Sequence, residues 1–144
     1  MTQDSPRVPL HLWIVGLLGV VYFAAGIPVT IQKQRMSPDF VASLPTEHIV
    51  FIESLATWYW IAMYIALVAG LIGFALLLLR KAAAAAFLLG SLIVLAIAET
   101  NAHYFSGPMP GALWVANATL LLLLLIHLGF WGYAEAMKRR GVLG

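Results

Sequence analysis

Four long apolar stretches constrain this chain more than anything else in it: Leu10 to Ile31, about Leu55 to Leu79, Ala82 to about Phe105, and Ala112 to about Met137. Each holds about 20 residues or more, enough for a helix rising about 1.5 Å per residue to cross a hydrocarbon core of about 30 Å. Lipid offers the backbone no hydrogen-bond partner, so such spans must satisfy their own amides as helices. The expected fold is an all-α membrane protein, a four-transmembrane-helix bundle in a single domain over 1–144. Its helices are expected at about 10–31, 46–79, 82–105 and 112–137, with an outer loop at 32–45. Composition agrees: 62% of the 144 residues are hydrophobic and 10% charged, whereas soluble domains carry about 25% charged residues.

The placement of charge predicts orientation. Arg80-Lys81 separates the second and third spans, and Lys138-Arg139-Arg140 follows the fourth. Basic clusters beside spans mark the cytoplasmic side, so both termini are expected there. The first connection balances Lys33 and Arg35 against Asp39, Glu47 and Glu53, as an outer loop should, and the turn from Ser106 to Gly111 is expected on the same side. The net charge of +2 is spread in small clusters next to the spans, which points to the lipid bilayer and not to nucleic acid. With no cysteine, disulfides, thiolate metal sites and thiol nucleophiles are excluded. Arg7, the apolar run from Leu10 and Ala24-Ala25-Gly26 imitate a signal peptide; the first span is read as a helix.

Finer features follow. Pro28 lacks the N–H that would bond the carbonyl of Ala24, so helix one should bend near Gly26 and Pro28. Ser37-Pro38 and Pro45-Thr46 are helix starts, which predicts a short extra helix around Asp39 to Leu44. The pattern from Thr46 to Leu79 is continuous, and as one helix it would reach roughly 50 Å. Trp58, Tyr59 and Trp60 are expected at the outer interface, with Trp13, Trp114, Trp131 and Tyr133 in the same aromatic belts. Small residues spaced by about four mark contact faces in lipid: Ala62, Ala66, Gly70 and Gly73 on the second span make it the packing hub, with Gly90 on the third. Leu120 to Leu125 presents a surface for lipid or another apolar subunit.

The residues able to carry chemistry are few. Glu99 and His103, four apart and about 40° around a helix, share one face. Glu99 should lie about 9 Å inside the outer boundary, in a polar layer with Asn117, Asn101, Glu53 and Trp58, approached by Thr57 and Thr30. That layer reads three ways: oxygen and nitrogen ligands to a metal together with His48 or Glu53, a proton or substrate site, or a hydrogen-bonded lock or docking point. His127 is the deeper, inner polar residue, expected to bond a neighbouring backbone or hydroxyl group. Pairing it with His11 on a haem would require spanning an offset of roughly 15 Å. No catalytic residue, cofactor or metal is assigned: the chain has no hydrolase elbow, phosphate loop or paired catalytic carboxylates.

The segments "HLWIVGLLGV", "GLIGFALLLLRKAAAAAFLLGSL" and "GYAEAMKRRGVLG" resemble an uncharacterised family of small four-span bacterial inner-membrane proteins often loosely labelled "sugar transporter". The resemblance covers most of the chain and implies a multi-pass inner-membrane protein with both ends inside, but assigns no active site. The family pattern has an Asn before a Met-Gly and an Asp-Tyr pair after it, where this chain has "YFAAGIPVT". Three functions therefore stand as expectations. The first is a non-catalytic accessory or stabilising subunit of a larger membrane complex, with membrane-protein partner subunits or as a homo-oligomer. The second is an oligomeric small-solute, sugar-like transporter, and the third a membrane enzyme or cofactor binder.

Overall fold

The computed structural model describes residues 9–107 and 111–144. It contains six helices: α1 (Leu10–Arg35), α2 (Pro38–Ala42), α3 (Thr46–Glu53), α4 (Thr57–Leu78), α5 (Ala83–Phe105) and α6 (Leu113–Arg139), with no strand among the described residues. Helices α1, α4, α5 and α6 are each long and apolar enough to cross a membrane. The chain is a multi-pass membrane protein. Arg7 and part of the turn expected from Ser106 to Gly111 lie outside the described residues.

The long helices pack in series, α1 on α4, α4 on α5 and α5 on α6. Lipid supplies no hydrophobic drive for this, so close backbone approach must, and glycine permits it. From α1, Gly16 faces Leu78, Gly19 faces the Phe74 ring and Gly26 faces Leu67; from α4, Gly70 receives the Phe23 ring and Gly73 receives Leu88 of α5. A β-carbon on Gly26 or Gly73 would come within 2.7 or 2.8 Å of those leucines, closer than real packing allows. Beside Gly70, Ala66 is buried, and its carbonyl accepts a 2.7 Å hydrogen bond from the buried Ser91 hydroxyl of α5. Ala62 is half-buried. Gly90 departs from its expected role: space beyond it is open, because its position on α5 turns away from both neighbouring helices. The hub is shared, since α5 as well as α4 packs against two helices.

The two ends of this arrangement differ. One end gathers the start of α1, the α4–α5 connection and the end of α6. There α4 and α6 close with matching turns, Arg80 and Gly141 taking left-handed φ of 59° and 69°. In each, the residue after the turn donates back five positions, Lys81 N to Leu76 O at 2.8 Å and Val142 N to Met137 O at 3.1 Å, satisfying carbonyls that a helix end otherwise leaves free. The turn at Gly141 sends residues 142–144 back beneath α4. Gly144 N donates to Arg80 O at 2.8 Å, Ala82 N donates to Gly144 O at 3.0 Å and Arg80 Nε donates to Val142 O at 3.2 Å. Val142 and Leu143 are buried in the main core with Leu12, Leu77, Ala84 and Met137. This is the tail end.

At the other end, the uninterrupted helix expected over 46–79 is divided into α3 and α4. The pattern of apolar residues carries no break, but Ser54 supplies one: its hydroxyl donates to Phe51 O at 2.6 Å and accepts from Gly107 N at 2.9 Å. Ala56 then turns extended (φ −65°, ψ 152°), which lets α3 leave the axis of α4 and gives Gly107 its partner. Helix α1 runs through Pro28 without interruption to Arg35, four residues beyond its expected end, and α6 likewise passes Met137 to Arg139. Thr30 adds a hydroxyl bond to Gly26 O at 2.9 Å just past the proline.

Candidate functional site around Glu99

Helices α2 and α3 lie between α1 and α4 in the chain and cover the end where α1 finishes, α4 starts and α5 finishes. Two cavities open beneath them. The larger, about 360 Å³, is lined by Lys33 of α1, Phe40 and Leu44, by His48, Phe51, Ile52 and Leu55 of the α3 region, by Tyr59 and Trp60 of α4, and by Glu99 of α5. The smaller, about 270 Å³, runs between α3, α5 and the first half of α6, past Ala102, His103, Val115, Ala116, Thr119, Leu120 and Leu123. Glu99, His48 and Phe51 belong to both.

Glu99 is held from α4. The Tyr59 hydroxyl donates to Glu99 Oε1 at 3.0 Å, which fixes the carboxyl group and occupies one oxygen. One turn later on α5, His103 pairs through Nε2 with Asn117 Oδ1 of α6 at 2.6 Å. Glu99 is thus tied to α4 and His103 to α6, so the two polar residues of α5 hold its neighbours on opposite sides. His48 brings the third polar group: its Nδ1 is buried and, among the described residues, has no hydrogen-bond partner. A buried nitrogen without a partner costs roughly 1–3 kcal/mol, and polar groups left this way inside a fold are candidates for contact with a ligand.

The polar layer expected from the sequence is thus assembled in part. Glu99, His103 and Asn117 are brought together, while Asn101 falls on another face of α5 beside Ala96, Ile97, Thr100 and Phe105, Glu53 is exposed and Trp58 is 41% exposed. The aromatic trio divides: Trp58 points outward as an interfacial residue should, but Tyr59 and Trp60 turn inward to the cavity, Trp60 being buried. Consecutive residues on a helix stand about 100° apart, so three in a row cannot share one environment. Among the described residues His48, Glu53, Glu99 and His103 form no group of three suited to a metal ion.

His48, weighed from the sequence as a ligand beside Glu99, lines both cavities, whereas Tyr59, Phe51 and Lys33 were the residues the sequence did not bring to this site. The signal for Tyr59 was present, since a tyrosine two positions into a span opposite a buried carboxylate is a donor in search of an acceptor. Nothing local pointed to Lys33. His127, by contrast, is buried as an inner polar residue and donates from Nδ1 to Leu123 O at 2.8 Å, with Tyr22, Phe23 and Phe130 around it in edge contacts. His11 pairs with the Tyr133 hydroxyl.

Comparison with family models, curated proteins and solved structures returns no match to this chain, so what the protein does rests on its own geometry.

Proposed function

We propose that this protein binds a small polar solute in the cavities around Glu99 and moves it across a bacterial inner membrane, with the cavity end facing the outside. The observation that carries the reading is a carboxylate set in the common wall of two cavities, one oxygen held by Tyr59 and an unpartnered histidine nitrogen beside it. Cavities of this size lie at or just below the small end of the range for ligand pockets, about 300–1,000 Å³, which favours a small molecule over a large one. The rest of the bundle supports a one-sided site: Phe23, Phe74 and Phe130 pack at tilted and edge-on angles across α1, α4 and α6, and the tail closes the end beyond them. Arg80, Lys81, Lys138, Arg139 and Arg140 all belong to the tail end, which supports placing that end in the cytoplasm.

The absence of native cysteine makes the test direct. A His48→Cys variant in membrane vesicles is expected to react with a membrane-impermeant thiol reagent added from outside, and a bound solute is expected to slow the reaction. Uptake of the same solute into proteoliposomes should fall at least tenfold in Glu99→Gln. A cysteine that no tested solute protects, together with no uptake, removes the proposal.

A second reading, the accessory subunit, is favoured by α6. Only 6% of its apolar window is buried, against 33% for α4 and α5, and Leu121, Leu122, Leu125 and Leu128 are exposed. A stoichiometric membrane partner that stays bound in mild detergent is its expected signature.

A further inference from the structure

Opposite charges line the larger cavity without meeting. Lys33, in the last turn of α1, and Glu99 of α5 both contribute to its wall, yet among the described residues the ion pairs are those of Glu135 with Lys138 and Arg139 on α6. The space between an unpaired ammonium and a carboxylate is bounded mostly by Phe40, Leu44, Ile52 and Leu55. Tyr59 occupies Glu99 Oε1, which leaves Oε2 for another donor, and His48 Nδ1 waits on the same wall. A cation at Glu99 would leave the lysine facing it with like charge, and an anion at Lys33 would meet the carboxylate in the same way. A molecule carrying both charges answers both residues, and the walls between favour an apolar substituent.

We infer that the cavity between Lys33 and Glu99 binds a small zwitterion of the α-amino acid class, its ammonium group on Glu99 and its carboxylate on Lys33, with an apolar side group against Phe40, Leu44, Ile52 and Leu55. The inference rests on the solute-binding reading above and names the substrate class for it. Lys33 is the residue that distinguishes a zwitterion from a simple amine, and it contributes by charge from an exposed helix end.

The test uses the full chain in nanodiscs, with L-leucine as the zwitterion, leucinamide as the cation, N-acetylleucine as the anion and glucose as a neutral polar solute. Binding is read by calorimetry. Leucine is expected to bind at least tenfold more tightly than either blocked analogue. Glu99→Gln should weaken leucine while tightening N-acetylleucine, which no longer meets a carboxylate, and Lys33→Gln should weaken leucine while tightening leucinamide, both variants melting within a few degrees of the parent. Leucinamide or N-acetylleucine binding as tightly as leucine would overturn the inference. Glucose binding in place of leucine would also overturn it while leaving the solute site standing, and a cavity that takes none of the four removes both.

Discussion

The tail end and the cavity end of this protein solve the problem of closing a helix bundle in opposite ways. At the tail end glycines let α1 and α4 touch, phenylalanines fill what remains, and residues 142–144 return to bond the α4–α5 turn. Backbone groups of Arg80, Ala82 and Gly144 find their partners there in one another. At the cavity end the helices are bridged by single polar pairs, Tyr59 with Glu99 and His103 with Asn117, around space that side chains do not fill. In lipid, where close packing rather than water drives helix association, unfilled space sacrifices contact. That space lies beside a carboxylate and a histidine nitrogen that has no partner among the described residues.

That contrast can be attacked from either side. The largest effect is expected from Gly70→Leu, which would drive a side chain into the Phe23 ring; overpacking of this kind costs about 3 kcal/mol, and the variant should elute as aggregate or melt far below the parent in detergent. Next is Gly141→Ala. An L-residue at a left-handed φ costs about 1–2 kcal/mol, and the change should release the tail, read as faster hydrogen exchange at the amides of Ala82 and Gly144. The sign reverses at Gly90→Ala, where no neighbour is met and removal of a mid-helix glycine should stabilise by about 0.5–1 kcal/mol; destabilisation there would reveal a packing partner for α5. His48→Leu is expected to leave thermal stability unchanged or raise it by about 1 kcal/mol, since it removes an unpaired buried nitrogen, while solute binding at the site is lost. If it destabilises as Gly70→Leu does, the cavity end is structural after all. Smallest is Tyr59→Phe, at about 0.6 kcal/mol for one hydrogen bond between membrane helices, measured by thermal unfolding.

Much of the fold was legible because membrane spans are written as uninterrupted runs, and the backbone leaves them only one conformation in lipid. The break at Ser54 was not, for its cause is the amide of Gly107, 53 residues away. The glycine face of α4 was visible as a small-residue spacing, but its counterpart on α1, Gly16, Gly19 and Gly26, gains meaning only from Leu78, Phe74 and Leu67 opposite. Glu99 and His103 announced themselves by being polar in an apolar run. Asn117, the partner of His103, was expected in the same layer, but Tyr59 read as an interfacial aromatic and Lys33 as one charge in a balanced loop.

The sequence by itself therefore determined the membrane class, four spans, and a polar layer on α5. Only the tertiary structure decided that Trp60 and Tyr59 turn inward, that Asn101 turns away, that residues 142–144 fold back into the core, and that Lys33 and Glu99 share a cavity without pairing. The physical reason is the same in each case: hydrophobic runs report the solvent a segment must face, a property each segment carries alone. Cavities and polar partners depend on how helices distant in sequence are rotated and set against one another, which packing fixes only after the chain has assembled.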